Sequence, residues 1–124
     1  MLLIDANAIL RYILNDNEEM ADQVEQLLAT KFVSVKNEVL AEVIYVLEKV
    51  YQLSREDIAS VATEFMDLEN VYADDMPVTM LALETFSQTK LDFVDTLLYS
   101  YHIIRQATIF TFDKKLLSKI RNSP

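Results

Sequence analysis

Met1-Leu2-Leu3-Ile4-Asp5-Ala6-Asn7-Ala8-Ile9-Leu10 opens the chain, and its reading decides the fold. Three apolar residues stop at an acid, as a buried strand does where it leaves a sheet. From residue 6 the period changes, and Ile9, Leu10 and Ile13 recur on one helical face as far as residue 14. A strand passing straight into a helix begins an alternating α/β chain, and the rest of the sequence repeats that step. A helix from about Glu18 to Ala29 is followed by a strand at Phe32-Val33-Ser34-Val35 and a helix over residues 37–51. Ser54, with Asp57 three residues on, marks a capping box for a helix to about Leu68. Asn70-Val71-Tyr72-Ala73 reads as a third strand, and Pro77 suits the first turn of a helix to about Thr89. Asp92 starts a helix over residues 93–105, Thr108-Ile109-Phe110-Thr111 has the β-branched and aromatic make-up of a fourth strand, and Asp113 caps a last helix to about Ile120.

Strands that are apolar throughout and alternate with helices predict a parallel sheet covered on both faces. The functional crevice of such a sheet lies beyond the carboxyl ends of its strands. Asp5 follows the first strand and Asp113 the fourth, so if those strands are neighbours both carboxylates face one crevice.

Composition narrows the chemistry. A chain of 124 residues with 52% hydrophobic and 25% charged residues is expected to form a single globular domain over 1–124. The longest apolar run, Val43 to Leu47, is far too short to cross a bilayer, and no basic leader is visible. The expectation is a cytoplasmic protein with no membrane association. Cys is absent and His102 is the single His, which excludes disulfides, thiolate metal sites and a His-rich zinc site. Gly is absent too, so no Gly-rich phosphate loop exists, and turns wanting positive φ fall to Asn15, Asn17 and Asn70. Taken alone, the net charge of −9 argues against a nucleic-acid binder, since phosphate contact normally uses an excess of Lys and Arg. A metal-binding cluster of acids would account for part of it.

Glu42 lies inside Val39-Leu40-Ala41-Glu42-Val43-Ile44-Tyr45-Val46-Leu47, the most apolar stretch of the chain. A carboxylate there is expected to be short of water, and burial without a partner costs several kcal/mol or forces protonation. Asp5, Asp95 and Asp113 sit at element ends, where Asp is also a common cap. Brought together with Glu42 they would repel one another, and Mg²⁺ or Mn²⁺ prefers such hard oxygen ligands.

Met1 to Leu10, Glu42 in its apolar helix, Asp92-Phe93-Val94-Asp95-Thr96-Leu97-Leu98 and Thr111-Phe112-Asp113-Lys114-Lys115-Leu116 together resemble the PIN-domain ribonucleases, and most of all the VapC-type toxins of toxin–antitoxin pairs. The resemblance spans almost the whole chain. It implies a three-layer α/β domain with a central parallel sheet of four strands, or five if the residues after the last helix add an edge, with the first and fourth strands side by side. It makes Asp5, Glu42, Asp95 and Asp113 the catalytic quartet, with Asp5, Asp95 and Asp113 holding Mg²⁺ or Mn²⁺. Asn7 and Thr111 become hydrogen-bonding supports and Asp92 an accessory acid. The implied activity is endoribonuclease: a metal-activated water attacks phosphorus in line, with Glu42 positioning that water or acting as general base.

Arg11, Lys90, Lys114 and Lys115 lie near these segments and are the candidates for gripping RNA. The rival is a non-catalytic metal-binding or protein-interaction module on the same fold. The helix over 37–51 is apolar nearly all round, and such a helix is normally covered on every side. A homodimer and a small antitoxin protein with a basic tail are the partners expected.

Overall fold

The computed structural model describes residues 1–123. In chain order these form α1 (Ala6–Leu14), α2 (Glu18–Thr30), β1 (Val33–Val35), α3 (Asn37–Lys49), α4 (Arg55–Met66), β2 (Val71–Ala73), α5 (Met76–Gln88), α6 (Phe93–Arg105) and α7 (Lys114–Arg121). The seven helices fall where periodicity and start signals place them. Asp5, Asn17, Ser54, Asp75 and Asp113 each accept a first-turn amide with the side chain, satisfying donors that the helix itself leaves open. α3 is capped from a distance: Asp74, just past β2, accepts the Asn37 N–H at 3.0 Å and is ion-paired with Lys36.

Positive φ is taken by Asn15, Gln52 and Gln106. Asn17 and Asn70, expected in that role, do other work. Asn17 caps α2, and the Asn70 side chain donates to the Leu28 carbonyl at 2.8 Å. Asn15 and Gln106 end α1 and α6 as left-handed C-caps, where a helix can stop without glycine at a modest steric cost.

The sheet is smaller than expected. β1 and β2 pair in parallel with Val33 opposite Val71 and Val35 opposite Ala73. The opening segment joins the other side of β1 through one parallel bridge, Leu3 to Ser34, in which the Ser34 N–H donates to Leu2 at 2.8 Å. Residues 108–111 form no strand. They run as an extended link between the Gln106 turn and the Asp113 cap, and Phe110 and Phe112 are 87% and 86% exposed with their rings in edge contact. The β-branched make-up of this stretch records fitness for a pleated, half-buried surface, which draws a segment into a sheet only where a partner edge receives it. Among the described residues the sheet therefore has two strands and a bridge in place of four or five strands, and nothing pairs with the outer side of residues 2–4.

The core lies between this small sheet and the helices. Val33 and Val35 of β1 are enclosed, and α3 adds Leu40, Val43, Ile44 and Leu47 at i, i+3, i+4, i+7 spacing. Val78, Ala82, Leu83 and Phe86 of α5 close the other side. A smaller cluster, Leu91, Tyr99 and Leu116, anchors α7 against α6. No helix among the described residues is long and apolar enough to cross a membrane.

Candidate metal centre

The four acids singled out in the sequence divide into two groups. Asp113 ends the extended link and caps α7, its Oδ1 accepting the Leu116 N–H at 2.9 Å. Its own N–H donates to Thr111 Oγ1 at 3.0 Å, which fixes the turn and gives Thr111 a direct hold on Asp113. Asp95 stands one turn into α6, partly buried. Asp92 occupies the N-cap position of α6, yet its side chain makes no capping bond, so its carboxylate is left for the cavity. Asp92, Asp95 and Asp113 line one hollow of about 310 Å³, rimmed by Lys90, Lys114 and Lys115. Burial, with the charges of Asp113 and Asp92 adding to it, pushes the Asp95 carboxyl above the usual carboxylate range.

Asp5 and Glu42 stand outside this hollow. Asp5 is exposed and caps α1, accepting the Ala8 N–H at 2.9 Å. The expected crevice required residues 108–111 to lie beside residues 2–4. No bridge joins the two segments, and among the described residues no three acids stand close enough together to hold a metal ion. Glu42 is not buried. It is exposed on α3, as is Tyr45 at 62%, because both fall off the stripe of Leu40, Val43, Ile44 and Leu47 that meets the core. Its apolar neighbours in sequence are not its neighbours around the helix. Asn7 is exposed in the first turn of α1.

Arg11 is also removed from the site. It donates to Asp16 at 2.9 Å and to the Tyr51 hydroxyl at 3.4 Å, which ties it to α1's own exit and the end of α3. Lys90, Lys114 and Lys115, by contrast, form the rim of the acidic hollow. Arg55, to which no role was given from the sequence, supports that rim from behind. From the first turn of α4 its Nε donates to the Phe86 carbonyl at 2.9 Å, a second nitrogen donates to the Leu91 carbonyl, and a third pairs with Glu48 at 3.1 Å. The guanidinium also lies 3.7 Å over the Phe86 ring. These bonds hold residues 89–92, the loop presenting Lys90 and Asp92. A cation in the first turn of a helix opposes the helix dipole, and that was the one signal in the sequence that could have marked Arg55.

The oxygen donors of the hollow are carboxylates, the kind a hard divalent cation prefers, and Asp95 lacks any cationic partner among the described residues; three lysines share the walls, and the acids do not close on one point. A family model described as PIN domain matches residues 2–122. No curated protein and no solved structure matches the chain.

Proposed function

The chain belongs to the PIN-domain family, whose members are generally nucleases that use divalent metals, and from that membership we propose that it is a Mg²⁺- or Mn²⁺-dependent endoribonuclease acting as the toxin of a toxin–antitoxin pair. The observation that carries the proposal is the juxtaposition of acids and cations at one hollow: Asp92, Asp95 and Asp113 inside, Lys90, Lys114 and Lys115 around them.

Asp95 and Asp113 are the residues that would hold the ion, with water completing its shell, since no three acids among the described residues stand close enough to share it. A divalent ion bound there supplies charge neutralisation for the phosphorane-like transition state and a water acidified for attack. The side chains divide the remaining work. Asp95, partly buried and near the like charges of Asp113 and Asp92, is a carboxyl whose charged form a bound cation would favour. The lysines meet the non-bridging oxygens of the phosphodiester, which lets an acidic protein accept a polyanion at one place. Thr111 fixes the backbone of Asp113, and Arg55 fixes the loop of Asp92.

The partner reading is supported by surface left uncovered along α3 and its exit, where Tyr45, Val50 and Tyr51 are exposed. A second copy of the chain and a small basic protein are the occupants proposed.

A fluorescent single-stranded RNA incubated with Mn²⁺, with and without EDTA, tests the activity. Cleavage that stops in EDTA and is lost in Asp95→Asn, with the circular dichroism spectrum unchanged, is the expected result. No cleavage of any RNA by the wild-type chain would make it a non-catalytic member of the family.

A further inference from the structure

The chain carries 11 Lys and Arg against 20 acids, and five of those cations stand in ion pairs. Arg11 pairs with Asp16, Lys36 with Asp74 and Arg105 with Asp75, while Arg55 and Lys49 share Glu48. Six cations make no ion pair among the described residues, and five of them, Lys90, Lys114, Lys115, Lys119 and Arg121, lie on α7 or on the loop before α6. The sixth, Lys31, ends α2 elsewhere on the surface. Clustered like charges destabilise the fold through mutual repulsion. Three of the five border the acidic hollow, but the surface that continues along α7 to Lys119 and Arg121 is lined by no acid, and in a protein so rich in acids such a run of cations marks a place where an anion from outside is received.

The five are also joined to the acidic hollow. Lys90, Lys114 and Lys115 line that hollow and a neighbouring one of about 570 Å³, which continues to Ser118 and Lys119. A third depression takes in Lys114, Ser118 and Arg121. Shared walls make one continuous strip from Asp95 along α7, a helix of 8 residues and hence about 12 Å long. The Lys119 ammonium lies 5.2 Å from the centre of the Tyr99 ring, which steadies the charge without cancelling it. On the opposite side of Asp92 and Asp95 the surface is different: Tyr45, Val94 and Glu48, with Lys49 paired to that glutamate.

We propose that this strip is the track for the phosphate backbone of single-stranded RNA on one side of the scissile bond, with Lys119 and Arg121 holding nucleotides that lie beyond the acids. The identity of the polyanion rests on the nuclease function proposed above; the strip of unpaired cations does not. The grip is one-sided. Backbone is held along α7 and is not held across the Tyr45 and Glu48 face.

The test is the salt dependence of binding, measured by fluorescence anisotropy of a labelled oligoribonucleotide in EDTA, where no cleavage occurs. Across about 50 to 200 mM salt, each phosphate contact to a single strand adds about 0.7 to the slope of log K against log salt. The Lys119→Gln, Arg121→Gln double variant is expected to flatten the slope by about 1.4, and Arg121→Gln alone by about 0.7. Arg121 is exposed, which makes the single variant the safer one for folding. Lys31→Gln is expected to leave the slope unchanged. An unchanged slope in both α7 variants, or an equal loss in Lys31→Gln, overturns the track. The two proposals fail separately: flattened slopes with no Mn²⁺-dependent cleavage keep the track and remove the nuclease, and cleavage with unaltered slopes does the reverse.

Discussion

Replacing Arg55 should weaken the protein more than any other single change of a charged residue. The side chain makes two hydrogen bonds to carbonyls, those of Phe86 and Leu91, an ion pair with Glu48 at 3.1 Å, and a stacked contact 3.7 Å from the Phe86 ring centre. A hydrogen bond to a charged group contributes about 1.5–3 kcal/mol, a cation–π contact about 0.5–1 kcal/mol, and a partly exposed ion pair under about 1 kcal/mol. The guanidinium is still partly in water, so these values overstate its contribution. An Arg55→Ala loss of about 2–4 kcal/mol is the reasoned figure. At roughly 4 °C per kcal/mol for a chain of this length, the melting temperature falls by about 8–16 °C. Arg55→Lys keeps the charge but not the planar fork, so it should recover less than half of the loss. Urea unfolding followed by circular dichroism reads both variants, with the slope of the transition checking that the mechanism of unfolding is unchanged. A loss below about 1 kcal/mol in Arg55→Ala, or an Arg55→Lys variant as stable as the wild type, would refute the account of the 89–92 loop.

Three further outcomes are expected. Millimolar Mn²⁺ or Mg²⁺ should raise the melting temperature by mass action, and Asp95→Asn should abolish the shift while the metal-free variant melts no lower than the wild type, since removing one of three neighbouring charges relieves repulsion. Asp74 is held below the usual carboxylate range by Lys36 and the Asn37 N–H, so its stabilisation is present above its ordinary value of 3.8 and is lost as pH falls through the depressed value; acid titration should find stability falling less steeply in Asp74→Asn. Light scattering at micromolar concentration should return a dimer, and a clean monomer would remove the second copy from the surface around Tyr45 and Val50.

Helices were legible in the sequence because the signals that start and stop them are local. Ser54, Asp75 and Asp113 cap the turns they precede, and the Leu40, Val43, Ile44, Leu47 stripe is contained within one element. Strands at residues 2–4 and 108–111 were not decidable in the same way, since a strand exists only through its neighbour. Residues 2–4 reach β1 through a single bridge and residues 108–111 reach nothing among those described. The apolar run around Glu42 does not report its burial, because angle around the helix decides which side chain meets the core. The bonds of Arg11 are legible only in part: Asp16 is near in sequence, but Tyr51 is 40 positions away. The isolation of the cations on α7 was hidden for the same cause. Lys36 finds Asp74 and Arg105 finds Asp75 only once the chain is folded, and what remains unpaired is known by subtraction.

The unpaired outer edge of residues 2–4 and the exposed Thr108–Phe112 link have a bearing on how the protein behaves in the tube. An extended stretch with two bared phenylalanines and no charge is a template for strand addition between copies, and so is an open parallel edge. The net charge of −9 is what keeps such molecules apart. Colloidal stability here is therefore electrostatic and not architectural. Added salt, which shortens the range of that repulsion to roughly 3 Å at molar strength, should bring the protein out of solution well before it unfolds.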